Sequence, residues 1–404
     1  MDSVSPATAP ASGERTLHLT QTFSYYAAFI GLGFVSAMFG PTLAGLAANT
    51  SSTLGAISVI FVANSIGRLA GSLVAGRLLD RIKGHPIVAA GFGLMALFMA
   101  LIPNLDALSV LVAVFFFLGI AQNFIDVGTN TLIVWLHGSR VGPYMNALHL
   151  MFGVGAFIAP IIAAVTLGIS GDIKLGYFVV SALLLPMVIW LLRMPSPPRR
   201  ATASQGAAGD VRWSLVALVA LFFFVAVGAE VGMSAWTFSY GVALGLDKAT
   251  TAAALTSVYW GAYSFGRLIS IPIAVRVPAQ RVLLVDLFGL IISAVVLMLF
   301  GRSAPALMWV SVAGIGLSIA SVFPTMLTFA GSHMNVTGKI NGMLFATANL
   351  GSMFFPWLIG QMFEPIGPHS LALVIFGIGI AALALFLSIN RLFNQPHDMA
   401  QDST

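Results

Sequence analysis

Residues 64–69 read Asn-Ser-Ile-Gly-Arg-Leu and residues 263–268 read Tyr-Ser-Phe-Gly-Arg-Leu, 199 positions later. Each hexapeptide lies inside a long apolar run, where an arginine costs roughly 2.5–3.5 kcal/mol on insertion scales. Meeting that cost twice in the same local frame points to an internal repeat. Gly155 and Pro160 recur as Gly351 and Pro356, 196 positions on, and the stretch Gly119 to Leu132 is echoed by Gly314 to Leu327 at an offset of 195. Three near-equal offsets divide the chain into two similar halves.

Composition says what kind of halves these are. Of 404 residues, 58% are hydrophobic and 8% charged, and the mean hydropathy is +0.97. Soluble domains carry about a quarter charged residues, so the chain reads as an integral membrane protein. It contains no cysteine, which excludes disulfide scaffolds, thiolate nucleophiles and zinc-thiolate sites. The net charge of +5 is spread singly between apolar runs, so it does not form a nucleic-acid-binding patch. There is no H-E-x-x-H, P-loop or G-x-S-x-G, and the seven histidines have no metal-ligand spacing. Neither an enzyme nor a cofactor or metal site is expected.

Runs of about 20 apolar residues, the length that crosses a ~30 Å hydrocarbon core, number twelve. They fall near 22–48, 54–79, 86–102, 107–136, 143–168, 175–193, 213–243, 251–275, 281–300, 304–331, 338–363 and 368–392. All are predicted to be α-helices, which satisfy their own backbone in lipid. The expected architecture is all-α, with two pseudo-symmetric six-helix bundles at 22–193 and 213–393. Residues 1–21 read as a disordered tail, 194–212 as a Pro/Arg/Ser/Ala/Gly-rich linker and 394–404 as a second tail. Thirteen of the 18 basic residues lie on the side of the termini, Arg77, Arg81, Arg140, Arg199 and Lys339 among them, against Lys174, Lys248 and Arg302 opposite. The positive-inside rule therefore places both termini in the cytoplasm, and a monomer in the inner membrane is expected, with the lipid bilayer and a small molecule as its partners.

Gly76-Arg77-Leu78-Leu79-Asp80-Arg81 resembles the G-x-x-x-D-R gating motif of the major facilitator superfamily, whose parallel repeats hold substrate near the midplane. Lys83 stands where that motif has its second glycine, and Gly84 follows one residue late. Gly119 to Asp126, Met145 to Pro160, Gly228-Ala229-Glu230, Trp260 with Gly266-Arg267, Gly316-Leu317-Ser318 and Phe323-Pro324 resemble the fucose, glucose and galactose proton symporters and the related vertebrate sodium-dependent glucose transporter. That resemblance implies import of a neutral hexose-like sugar by cation symport, with the proton favoured over sodium. Export of a small amphiphile or drug by proton antiport is the alternative, against which an amide-rich stripe on the fourth and fifth runs speaks.

The polar residues within the runs are the candidate site. Gln122, Asp126, Thr129 and Asn130 follow i, i+4, i+7, i+8 on one helical face, and Asn123 adjoins them. Asp126 stands about ten residues, some 15 Å, inside the membrane, at the same depth as Arg68 and His149. Asp126, Glu230, Arg68 and His149 are the candidate coupling groups, the acidic residue of the fourth run being one the resembling symporters share. Asp126 and Arg68 could instead be a permanent ion pair, His149 a donor to a backbone carbonyl, and Glu230 a staple between helices. Sugars need aromatic platforms together with amide or carboxyl groups. Gln122, Asn123, Asn130, Asn146, Trp236, Tyr240, Tyr259, Tyr263, Asn341 and Asn349 are the candidate substrate contacts, and Gly76, Asp80 and Arg81 the candidate gate.

Overall fold

The computed structural model describes residues 12–199, 212–247, 250–334 and 338–394. Its helices are α1 (Ser12–Asn49), α2 (Leu54–Ile57), α3 (Val59–Leu79), α4 (Gly84–Leu101), α5 (Leu108–His137), α6 (Val141–Ser170), α7 (Lys174–Arg193), α8 (Trp213–Ala243), α9 (Thr251–Arg276), α10 (Ala279–Phe300), α11 (Pro305–His333), α12 (Gly338–Ile366) and α13 (His369–Asn394). The twelve predicted crossings are all present, with α2 and α3 together forming the second. They part at Ser58, after Thr53 caps α2 by accepting the Ala56 N–H. Eleven of the crossings are long and apolar enough to span a membrane by composition alone. The twelfth, α9, falls short because it carries Thr251, Ser257, Tyr259, Tyr263, Ser264 and Arg267.

α1 starts at Ser12, where the apolar run begins only near residue 22. The polar turns before the run satisfy themselves: Thr20 and Thr22 donate to the carbonyls of Thr16 and His18, and Gln21 donates to the Pro195 carbonyl at 2.8 Å. The segment predicted as a disordered tail is therefore helical from residue 12, and its first eleven residues lie outside the described ones. So do Arg200, Lys248, residues 395–404 and most of the predicted linker. The linker's first residues are held in place. Buried His85 accepts or donates to Tyr25 and the Met194 carbonyl, both at 2.9 Å, and Arg199 donates to the carbonyls of Asp80 and Ile82.

The repeat read in the sequence is a repeat of packing. In the first half α1 packs on α6, α3 on α5, and α4 on α5 and α7; in the second, α8 packs on α12, α9 on α11, and α10 on α11 and α13. Glycines set the closest approaches, as small residues do between membrane helices. A Cβ on Gly155 would strike the Ile30 carbonyl of α1, and a Cβ on its repeat mate Gly351 would strike the Phe224 carbonyl of α8. The halves meet through α6 with α9, α3 with α12, α1 with α8 and α2 with α12.

Those meetings lie at mid-depth and toward the end opposite the termini. There the Leu54 N–H donates to Glu364 (2.9 Å), Gln361 donates to the Gly55 carbonyl (2.8 Å) and the Ser58 hydroxyl (3.3 Å), and Ser257 donates to the Phe157 carbonyl (3.0 Å). Toward the terminal end the halves diverge.

Candidate functional site

Two cavities lie between the halves. The central one, about 200 Å³, is walled by α1, α3, α5, α6, α8, α9 and α12, and its polar lining includes Asn64, Gln122, Arg68, Glu230 and Asn349. Phe39, Phe61, Phe152 and Trp260 supply apolar and aromatic surface. The second, about 650 Å³, is a vestibule running from His149 and Arg267 at mid-depth to Gly142, Pro143, Val277 and Ala279 at the terminal end.

The predicted stripe on α5 is a hydrogen-bonded network. Arg68 Nη2 donates to Asp126 Oδ2 at 3.0 Å, Asn130 donates to Asp126 Oδ1 at 2.8 Å, and Asn64 donates to Gln122 Oε1 at 2.9 Å. Asn123 donates to the Arg68 backbone carbonyl, which fixes the helix that carries the arginine. The pair is not sealed: 28% of the Arg68 side chain and 27% of Asp126 stay open.

The second half is built differently. The position that repeats Asp126 is Ser321, so the second half has no acid there to pair with Arg267. Arg267 donates instead to the Tyr263 hydroxyl, and Glu230 from α8 faces both groups. Tyr259 donates to the Glu230 backbone carbonyl at 3.0 Å, bracing α9 on α8 at this level. Arg68 thus has a carboxylate partner on α5, whereas Arg267 is bonded to a tyrosine hydroxyl with Glu230 of α8 in its electrostatic field.

His149 lines the vestibule, edge-on to Phe29 with ring centroids 5.4 Å apart, in the electrostatic field of Arg267 across the halves. Among the described residues it makes no hydrogen bond, so the expectation of a backbone-carbonyl staple does not hold. Asn146 lines the vestibule, while Gln122 and Asn349 line the central cavity. The other predicted contacts stand elsewhere. Asn123 and Asn130 are spent on Arg68 and Asp126, and Tyr259 and Tyr263 on the Glu230 cluster. Fully buried Trp236 donates to the Pro356 carbonyl at 2.8 Å and packs on Phe363. Tyr240 is fully buried beside Gly301 near the far end, and Asn341 stands in the first turn of α12; neither lines these cavities. A periodic polar or aromatic position identifies a face, but such a face can meet a neighbouring helix rather than an opening.

Two groups on the cavity wall, and one acid outside both cavities, were not read as candidates. Trp260 lines the central cavity against Phe152, with centroids 5.8 Å apart, and its indole N–H has no partner. Ser65 and Ser352 approach to 3.4 Å across the halves on the cavity wall. Asp286, mid-way in α10, accepts a hydrogen bond from Ser321; as an acid inside an apolar run it had a signal of its own. At the candidate gate, Gly76 closes the last turn of α3, and Asp80 and Arg81 are exposed. The Asp80 carbonyl is where Arg199 lands.

The sequence profile of the Major Facilitator Superfamily matches residues 25–356. The chain belongs to the major facilitator superfamily. It is similar to the sodium-dependent glucose transporter 1 of Xenopus laevis, 29% identical over 90% of this chain and 80% of that one, and to its Homo sapiens counterpart, 28% identical over 92% and 79%. The major facilitator superfamily domain-containing protein 4A of Homo sapiens is 24% identical over 95% of this chain and 93% of its own. Among solved structures the fold matches a D-xylose-proton symporter at a TM-score of 0.75, with 15% identity, covering 91% of this chain and 97% of that one. It also matches the nucleoside transporter NupG at 0.70, with 14% identity, covering 94% and 100%. This major facilitator protein is a multi-pass membrane transporter of a small molecule, related to sodium-dependent glucose transporters, and not an enzyme.

Proposed function

We propose that this transporter imports a neutral, hexose-like monosaccharide by proton symport with alternating access. The observation that carries the reading is the central cavity, where amides and hydroxyls from both halves stand beside Phe152 and Trp260 and between Arg68 and Glu230. Amides and serines suit sugar hydroxyls, and the rings of Phe152 and Trp260 offer flat faces for C–H groups. The vertebrate relatives are named for glucose and for sodium, which supports the sugar class and sets the competing cation.

Asp126 and Glu230 each face an arginine. A proton replaces a guanidinium at a carboxylate without a new coordination shell, whereas a metal cation must assemble several oxygen ligands. That favours the proton. With the termini cytoplasmic in the inner membrane, the vestibule opens to the cytoplasm and this is an inward-facing state. The protein acts as a monomer, since each half supplies one wall of the cavity.

Proteoliposomes offered a panel of labelled sugars under imposed pH or sodium gradients test this. Concentrative uptake of one hexose driven by the pH gradient is expected. Uptake driven by sodium alone overturns the proton assignment, and efflux of amphiphiles without sugar uptake overturns the sugar.

A further inference from the structure

Glu230 and Arg267 are divided between the two cavities, the acid lining the central one and the guanidinium lining the vestibule. The polar lining of the vestibule is Arg267, His149, Asn146, Ser270, Thr325 and Thr328, with no aspartate or glutamate among its lining residues. Arg267 spends Nη2 on the Tyr263 hydroxyl, and its Nε is buried without a partner. A guanidinium taken from water and short of acceptors is unfavourable, and its planar fork matches the geometry of an oxyanion. Glu230 reaches it from the central side, which leaves the vestibular side for a ligand. At about 650 Å³ the vestibule falls in the size range of small-molecule pockets, roughly 300–1,000 Å³.

We infer that the vestibule is a binding site for a small oxyanion that carries hydroxyl groups, the chemistry shared by sugar phosphates and sugar acids. The anionic group sits between Arg267 of α9 and His149 of α6, and its hydroxyls meet Asn146, Ser270, Thr325 and Thr328. Such a ligand comes from the terminal end, bridges the two halves while they are apart, and so inhibits closure from that side. The inference rests on the vestibular lining and is independent of which neutral solute the central cavity takes.

Calorimetric titration of the purified full chain with glucose 6-phosphate, gluconate, inorganic phosphate and neutral glucose tests it, with no transport step involved. Saturable binding of glucose 6-phosphate or gluconate is expected, weaker for inorganic phosphate and weakened by added salt. The sugar phosphate and the sugar acid are separate arms that tell which anionic group is preferred. Arg267→Gln should abolish the binding. Thr325→Glu, which sets a like charge in the vestibule and leaves the Glu230 cluster in place, should weaken it about tenfold or more, and decides the matter if Arg267→Gln does not fold. Absence of saturable anion binding at millimolar concentrations, or binding that survives Thr325→Glu unchanged, overturns the inference; equal affinity for inorganic phosphate overturns the part played by the hydroxyls.

Discussion

Asp126 and Glu230 are both acids near a repeat-related arginine, and they stand in different places. Asp126 is held by Arg68 and Asn130 and remains partly open, but it does not line the central cavity. Asp126→Asn keeps the hydrogen bonding and removes the proton, so exchange of substrate across proteoliposomes should persist while pH-driven accumulation disappears; accumulation at the wild-type level would make the Arg68 pair purely structural. Glu230 does line the cavity. Glu230→Gln should lower sugar affinity about ten- to a hundred-fold, the worth of one hydrogen bond to a charged group, and a binding titration that shows wild-type affinity would place the substrate on the first half alone. Trp260→Phe retains an aromatic face on the cavity wall and Trp260→Ala removes it, so Trp260→Phe should weaken binding by less than Trp260→Ala in the same titration and leave the pH dependence of uptake untouched. The ionisable residues were legible because charge in an apolar run is conspicuous. The partners of Tyr259, Tyr263 and Trp236 were not, since whether a helical face meets a cavity or a neighbour depends on helix rotation within the bundle. Asp286 went unread although the same rule marks it, and Ser321, the position that repeats Asp126, is its partner.

The helices themselves were written in hydropathy, and their limits were not. α1 runs past its apolar segment because Thr20, Thr22 and Gln21 find acceptors of their own, and the second crossing breaks at Ser58, whose hydroxyl donates to the Gly55 carbonyl and accepts from Gln361. α9 shows the opposite failure of a composition rule: the most polar crossing is a full-length helix, since its polar residues face α6, α8 and the cavities instead of lipid. What pairs the helices is the set of glycine approaches, and these predict a contrast. Gly155→Ala and Gly351→Ala each push a methyl group into a backbone carbonyl and should cost about 1–3 kcal/mol, as overpacking does. Gly93→Ala on α4 meets nothing within 4 Å and should be neutral. Thermal unfolding in detergent followed by the intrinsic fluorescence of the seven tryptophans measures both. Equal loss at all three positions would mean that the glycines serve helix flexibility and not close approach.

At the scale of the whole molecule the two halves are joined at mid-depth and at one end and are apart at the other, and the far end of the join carries a polar clasp. α2 and α12 are clasped by Glu364 on the Leu54 N–H and by Gln361 on the Gly55 carbonyl and the Ser58 hydroxyl. These contacts belong to the state in which the far end is shut, so their free energy biases the equilibrium between states open at one end or the other without touching the site. Removing the two Gln361 bonds withdraws about 1–3 kcal/mol from the shut state, which corresponds to a 5- to 150-fold shift in population. The chain has no cysteine, so introduced thiols report each end separately. Ala274→Cys lines the open vestibule, and Ser257→Cys replaces a buried hydroxyl bonded to Phe157 at the closed end. Maleimide labelling in purified protein should be fast at the first position and slow at the second. Adding Gln361→Ala to each should slow the first and speed the second by a comparable factor, because one rocking motion opens one end as it closes the other. If labelling speeds at residue 257 with no change at residue 274, the far end opens by local fraying of α2 and the halves do not move as rigid bodies.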